Sequence, residues 1–199
     1  MNSKPRIPCD PGAPPALATN LKADLRKSLL NARRGLGADA RAQWDRQIGA
    51  HVLAWCEAAG VTALGVYWPL HGEPDLQPAY AALAARGVRL ALPVVLEKAA
   101  PLAFSSWTPG EAMAKDDMGV AVPAALRIEM CPPAILVPCL GYNVGRFRLG
   151  YGGGYYDRTL ARAPRPLTVG IAYASLAAQF ASDAHDIALD HILTERGVL

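Results

Sequence analysis

Aromatic residues are scarce in this 199-residue chain, at 7% of the total, and charge of either sign is modest. With so few aromatic rings the core is expected to be built from Val, Leu and Ala, with tightly packed helices. Basic residues number 20 and acidic residues 17, a formal charge of +3. That balance, beside 52% hydrophobic residues, excludes a disordered chain and the usual basic nucleic-acid binder. It is compatible with an anionic small-molecule ligand. No uncharged apolar run reaches the length of a membrane span, so none is expected. The four cysteines, Cys9, Cys56, Cys131 and Cys139, include no CxxC pair, and only four histidines could assist them. A zinc site is therefore not expected. The thiols read as reduced, small apolar packing groups of a cytoplasmic protein. Met1 to Ala18 holds five prolines and three charged groups but no apolar stretch of a secretory signal. It reads as a flexible tail over residues 1–18, ahead of one domain over 19–199.

Several segments carry helical or strand signatures. Leu21, Leu25, Leu29 and Leu30 recur at helical spacing, with Lys22, Arg26, Arg33 and Arg34 between them. Thr19 or Asn20 is the expected cap of that helix. A second helix is predicted over 38–59, stopped by Gly60. A third is predicted over 79–86, stopped by Gly87, and a fourth starting at Tyr155. Short apolar runs predict strands at 61–68, 88–95, 134–137 and 168–172, and the chain closes with an Asp/His-containing segment and Ile192 to Thr194. The run 102–107 alternates as an edge or hairpin strand would. Residues 110–125 read as irregular. Short apolar strands alternating with helices predict an α/β protein, a three-layer α/β/α arrangement around an open, mostly parallel sheet.

The most informative stretch is Arg148-Leu149-Gly150-Tyr151-Gly152-Gly153-Gly154-Tyr155-Tyr156-Asp157-Arg158. It lies between a predicted strand and a predicted helix, where ligands of open α/β sheets sit. The glycines let the backbone approach an anion, and successive N–H groups with a helix start supply donors. Arg148 and Arg158 flank it, and a guanidinium can clamp phosphate oxygens in pairs. The stretch is not a Walker loop, because the closing Gly-Lys-Ser/Thr is missing, and it is not a dinucleotide fingerprint.

This loop, with Val137-Pro138 and Gly145-Arg146-Phe147 before it, resembles the signature of the 5-formyltetrahydrofolate cyclo-ligase (5,10-methenyltetrahydrofolate synthetase) family. The resemblance extends over about residues 20 to 196. It includes Lys22, Leu25-Arg26 and Arg33, then Tyr67-Trp68-Pro69-Leu70 with Gly72-Glu73-Pro74-Asp75. Phe104, Trp107 and Pro109-Gly110 also match, as do His185-Asp186-Ile187, Leu189-Asp190 and Thr194-Glu195. The fold it implies is the cyclo-ligase fold, related to those of sugar-phosphate isomerases and CoA transferases. The activity it implies is ATP- and Mg²⁺-dependent closure of 5-formyltetrahydrofolate to 5,10-methenyltetrahydrofolate, with ADP and phosphate released. A non-catalytic nucleotide- or RNA-associated module on the same fold is the alternative.

Residue by residue, the resemblance implies an ATP site of Lys22, Arg26, Arg148, Leu149, Gly150, Tyr151, Gly152, Gly153, Gly154, Tyr155 and Tyr156. It implies folate contacts at Trp68, Glu73, Trp107 and the stretch Tyr151, Gly152, Gly153, Gly154 and Tyr155. It implies Mg²⁺ ligands at Asp157 and Asp190. Lys22 and Arg26 lie four apart on one helical face and can share one polyphosphate, though such a pair can equally be a solvated face. Glu73 could accept paired N–H donors from a 2-amino-4-oxopteridine. Trp68 and Trp107 could pack on rings or simply fill core, and Asp157 and Asp190 could cap local structure. His185 and Asp186 read as structural. Some family members carry basic residues where this loop has Tyr151 and Gly153, and an Asp where this chain has Asn143. No nucleic acid or membrane partner is expected, and the expected state is a cytoplasmic monomer.

Overall fold

The computed structural model describes residues 15–199, with side chains from Leu21 onward. The expected tail therefore lies outside the described residues as far as residue 14. Helix α1 spans Pro15–Arg34 and α2 Ala38–Ala58. Thr19 and Asn20, expected as caps, lie inside α1, whose start is carried further back by the good helix formers Ala16, Leu17 and Ala18. Strand β1 is Ala63–Gly65, helix α3 Gln77–Ala85 and strand β2 Arg89–Val94. There follow β3 Ala103–Trp107, β4 Met113–Lys115, β5 Ala121–Pro123 and β6 Ile128–Glu129. After β7 Ala134–Pro138 come the short strands β8 Gly141–Tyr142 and β9 Arg148–Leu149, then α4 Tyr155–Leu160. Strands β10 Leu167–Ile171, β11 His191–Thr194 and β12 Gly197–Val198 finish the fold.

Eight strands form one sheet in the order β12-β11-β10-β7-β1-β2-β3-β6. The five from β11 to β2 are mutually parallel, and β12, β3 and β6 run antiparallel to their neighbours. In register, Leu64 faces Leu90 on one side and Ala134 on the other. The connection out of β1 leads to β2 on one side, while β7, β10 and β11 lie on the other. The order therefore reverses between β1 and β7, and the carboxyl ends of that pair are where such sheets open a crevice.

Alternation along the strands sorts side chains to two faces. Leu136, Val169 and Ile171 join Ile48, Val52, Tyr80 and Leu83 in the larger core, under α1, α2 and α3. Ile135, Val137 and Ile192 join Phe104, Leu160 and Leu189 in the smaller one. The second helical layer is thin, supplied by the six-residue α4 and the segment around Leu189. The backbone comes close there: a Cβ on Gly170 would lie 2.5 Å from Cδ1 of Ile192.

Two local expectations need correction. Residues 110–125 are not irregular: β4 and β5 pair as a hairpin, closed by Asp116, whose carboxylate accepts from the N–H groups of Met118 and Val120. Strands of three residues with charged neighbours leave little alternation for the eye to find. The inward side of α1 is also not simply its leucine row. Leu21 is 63% exposed, whereas Lys22, Leu29 and Arg33 are buried.

Candidate active site

Two connections meet at the reversal point. After β1 the chain turns through His71 and Gly72, both in the left-handed region at φ 50° and 79°. Glu73 closes that turn: its N–H donates to the carbonyl of Leu70, and its Oε2 accepts from the Leu70 N–H at 2.9 Å. Tyr67 fixes the far side by donating to the carbonyl of Pro74 at 2.8 Å. Glu73 is thereby held 4% exposed. Burial pushes its carboxyl pKa up, partly offset by the Leu70 N–H, the Arg33 cation and the Tyr151 hydroxyl.

After β7, the ribbon β8–β9 carries the chain into the glycine loop. Asn143 closes this ribbon, accepting from the N–H groups of Gly145 and Phe147 and donating to the carbonyl of Phe180. A neutral amide suffices for that turn. Gly154 ends the loop at φ 65° as the residue preceding α4, and a Cβ there would lie 2.8 Å from Nη1 of Arg158. The left-handed backbone favours glycine there, and a side chain would also require Arg158 to shift.

The loop and the β1 connection touch through Tyr151. Its hydroxyl donates to Oε1 of Glu73 at 3.0 Å and accepts from Nη2 of Arg33. Burial, then the neighbouring Glu73 charge, pushes the phenol pKa well up, so the hydroxyl keeps its proton. Helix α1 supplies the remaining cations. Arg26 donates to the carbonyl of Gly150 at 2.9 Å. Arg33 donates to the carbonyl of His71 at 3.2 Å. Lys22 is paired with Asp183 at 2.7 Å and Asp186 at 2.8 Å. Burial alone would lower the Lys22 pKa, but the two carboxylates outweigh it and raise it.

Arg148 lies over the Tyr156 ring at 5.2 Å and pairs with Asp157 at 2.7 Å. Arg158 lies over Tyr155 and donates to the carbonyl of Gly153. Each of these three arginines keeps one buried N–H without a partner: Nη1 of Arg33, Nε of Arg148 and Nε of Arg158. Unpartnered buried donors are costly in folded proteins, and these three give the loop's surroundings spare capacity for acceptors.

A sequence profile of the 5-formyltetrahydrofolate cyclo-ligase family matches residues 18–195. The chain belongs to that family. The family assignment and the mixed, mostly parallel sheet agree with the expected α/β class. A 5-formyltetrahydrofolate cyclo-ligase of Mycolicibacterium smegmatis is 31% identical over 188 residues, covering 89% of this chain and 96% of that protein. The Escherichia coli protein of the same description is 25% identical over 170 residues, covering 81% and 93%. Among solved structures, the 5,10-methenyltetrahydrofolate synthetase of Aquifex aeolicus superposes with a TM-score of 0.78 at 28% identity, covering 89% of this chain and 91% of that one. The chain is thus an enzyme of the cyclo-ligase family.

Within this frame the expected site residues fall into groups. Arg26, Arg148, Tyr151, Glu73 and the glycines converge on the loop. Lys22 belongs to the same helix face but is engaged by Asp183 and Asp186, so the expected structural role of Asp186 is that of a counter-ion. The Leu149 side chain is core, 2% exposed, leaving only its backbone free to bind. Trp107 is core as well, meeting Trp68 edge-on at 6.2 Å and Tyr80 at 6.2 Å. Trp68 is half-buried.

Asp190 stands apart. Its Oδ2 accepts from the N–H and hydroxyl of Thr168 at 2.8 and 2.6 Å, with Arg165 beside it at 3.4 Å. Burial would raise its pKa, but the Thr168 hydrogen bonds and Arg165 outweigh that and lower it. Among the described residues no three His, Cys, Asp or Glu side chains are arranged to hold an ion. One carboxylate beside an arginine-flanked glycine loop is nonetheless a fit for Mg²⁺, which can take most of its ligands from phosphate and water.

Arg33 is the site residue that motif matching left without a role. Its signal is in the spacing: at about 100° per residue, positions 22, 26 and 33 fall within about 40° of one another on α1. Three cations therefore share one narrow face of α1.

Proposed function

We propose that the chain catalyses ATP- and Mg²⁺-dependent cyclisation of 5-formyltetrahydrofolate to 5,10-methenyltetrahydrofolate. The observation that carries this reading is the contact of Tyr151 with Glu73, which brings a buried carboxylate and an arginine-lined glycine loop together. Two substrates can meet there. The formyl oxygen on N5 attacks the γ-phosphorus of ATP, and the bond to ADP breaks. N10 attacks the activated formyl carbon, the carbon–oxygen bond to phosphate breaks, and N10 gives up its proton.

In this reading Arg26, Arg148 and Lys22 neutralise the phosphates, and the loop from Gly150 to Gly154, with Tyr155 and Tyr156, wraps them. Glu73 accepts from the pterin, and Trp68 packs on a ring; Trp107 supports Trp68 from behind. Asp157 holds Mg²⁺, which when bound offsets charge on the transferring phosphoryl group. Asp190 joins it through Oδ1, its Oδ2 being held by Thr168. Positioning and charge neutralisation are the protein's main contribution to such a transfer.

The reading carries with it a cytoplasmic monomer acting on small molecules. The free thiols of the buried Cys56 and Cys139 accord with it, and no described helix is long and apolar enough to cross a membrane. The test is to mix the purified chain with 5-formyltetrahydrofolate and MgATP and follow methenyl absorbance. ATP-dependent product is expected; its absence overturns the reading.

A further inference from the structure

Arg33 is wholly buried, yet one of its terminal nitrogens has no acceptor. Its other terminal nitrogen donates to the Tyr151 hydroxyl, and that hydroxyl donates onward to Glu73 at 3.0 Å. The hydroxyl is therefore an acceptor toward Arg33 and a donor toward Glu73. Anything that takes its place must offer the same pair of groups side by side.

One edge of a 2-amino-4-oxopteridine does so. Its 4-oxo oxygen is an acceptor, the adjacent N3–H is a donor, and the 2-amino group is a second donor. The oxygen has two lone pairs, enough for both terminal nitrogens of Arg33, including the one now without a partner. Tyr151 can yield: it is 46% exposed and on a loop, and its ring meets the edge of His71 at 5.6 Å and the Arg33 guanidinium at 5.7 Å.

Resting on the folate reading above, we propose that Arg33 is a specificity-determining residue that donates to the 4-oxo oxygen of the pterin. Glu73 takes N3–H and the 2-amino group, and the Tyr151 hydroxyl makes the same pair of bonds when no pterin does. The arrangement discriminates against a 4-amino pteridine on two counts. The amino group points donors at the guanidinium, and N3 carries no hydrogen for Glu73. A site built around buried hydrogen-bonding groups rejects a ligand that leaves them unpaired.

The test is equilibrium binding without nucleotide, using folic acid and its 4-amino counterpart aminopterin, with 5-formyltetrahydrofolate as the control ligand. The unaltered chain should prefer folic acid. Arg33→Met should weaken folic acid by about 10- to 100-fold, as expected for losing a hydrogen bond to a charged group, and leave aminopterin nearly unchanged. Arg33→Lys should fall between. Equal loss for both ligands, or no preference in the unaltered chain, overturns the proposal. Tyr151→Phe decides the matter if the Arg33 variants do not fold. It removes the competing hydroxyl, so folic acid should bind several-fold tighter and aminopterin no tighter; weaker folic acid binding overturns the proposal. If the unaltered chain binds none of the three ligands, the folate reading itself fails.

Discussion

Replacing Asp157 with alanine would strip Arg148 of its one carboxylate partner. The Arg148 side chain is 7% exposed and that of Asp157 is 21% exposed, at 2.7 Å. Nε of Arg148 already lacks an acceptor, and the ring of Tyr156 covers one face of the guanidinium. Removing one partner from a fully buried pair costs about 3–5 kcal/mol, and an exposed pair contributes about 0–1 kcal/mol. This pair lies between those limits, so Asp157→Ala should cost about 2 kcal/mol. For a chain of this size that is a fall of about 4–8 °C in Tm, read by thermal denaturation without ligand. Asp157→Asn keeps an acceptor and should lose less than half as much. Inorganic phosphate supplies Arg148 with new acceptors, so it should raise the Tm of the alanine variant more than that of the unaltered chain. In turnover assays the same variant should show its largest defect at limiting Mg²⁺. A Tm within 1 °C of the unaltered chain, with unchanged turnover at limiting Mg²⁺, would refute both the pairing and the metal assignment.

Gly152 sits at φ 94° with the Arg26 guanidinium carbon 3.7 Å from where a Cβ would be. Gly152→Ala should strain the loop by about 1–2 kcal/mol, read as a fall of about 2–8 °C in Tm together with a higher KM for ATP. Asp190 has its pKa lowered in the fold by Thr168 and Arg165, against the opposing effect of burial. Its contribution is therefore in force above the unfolded carboxylate value of about 4 and is lost as pH falls through the lower folded value. Asp190→Asn should thus lower stability at pH 7 by about 1 kcal/mol and flatten the acid limb of the stability–pH curve; an unchanged acid limb would show that the Thr168 contacts carry no charge-dependent energy.

Glycine punctuation made much of the fold legible. The stop expected at Gly60 is there at φ 61°, after an α2 that ends at Ala58, and Gly87 ends α3 in the same way at φ 85°. The parallel strands were visible because they are buried on both faces and so read as continuous apolar runs, as Ile135-Leu136-Val137 does. The β4–β5 hairpin was not visible, because its order comes from the Asp116 side chain and not from alternation. The glycine loop was legible as a motif, but its structural partners were not. That Arg26 reaches Gly150, and that Arg33 and Glu73 share Tyr151, follows from the reversal of strand order between β1 and β7, which no local pattern encodes. Asp190 illustrates the converse, since a motif match names the residue and leaves out Thr168, to which the carboxylate is bound.

The inward nitrogens of α1 serve the chain before any substrate arrives, with Lys22 on two carboxylates, Arg26 on a carbonyl and Arg33 on a hydroxyl. A ligand that uses these groups takes over partners already made and adds few new ones. Much of the attraction visible in a bound complex would then be cancelled by contacts surrendered. Affinity stays moderate while orientation stays strict, because the nitrogens are held in place throughout. On the proposed cycle, which discharges the folate product, ADP and phosphate, such barter has a merit: Asp183 and Asp186 are at hand to take Lys22 back, and Tyr151 to take Arg33 back, so departure strands neither charge.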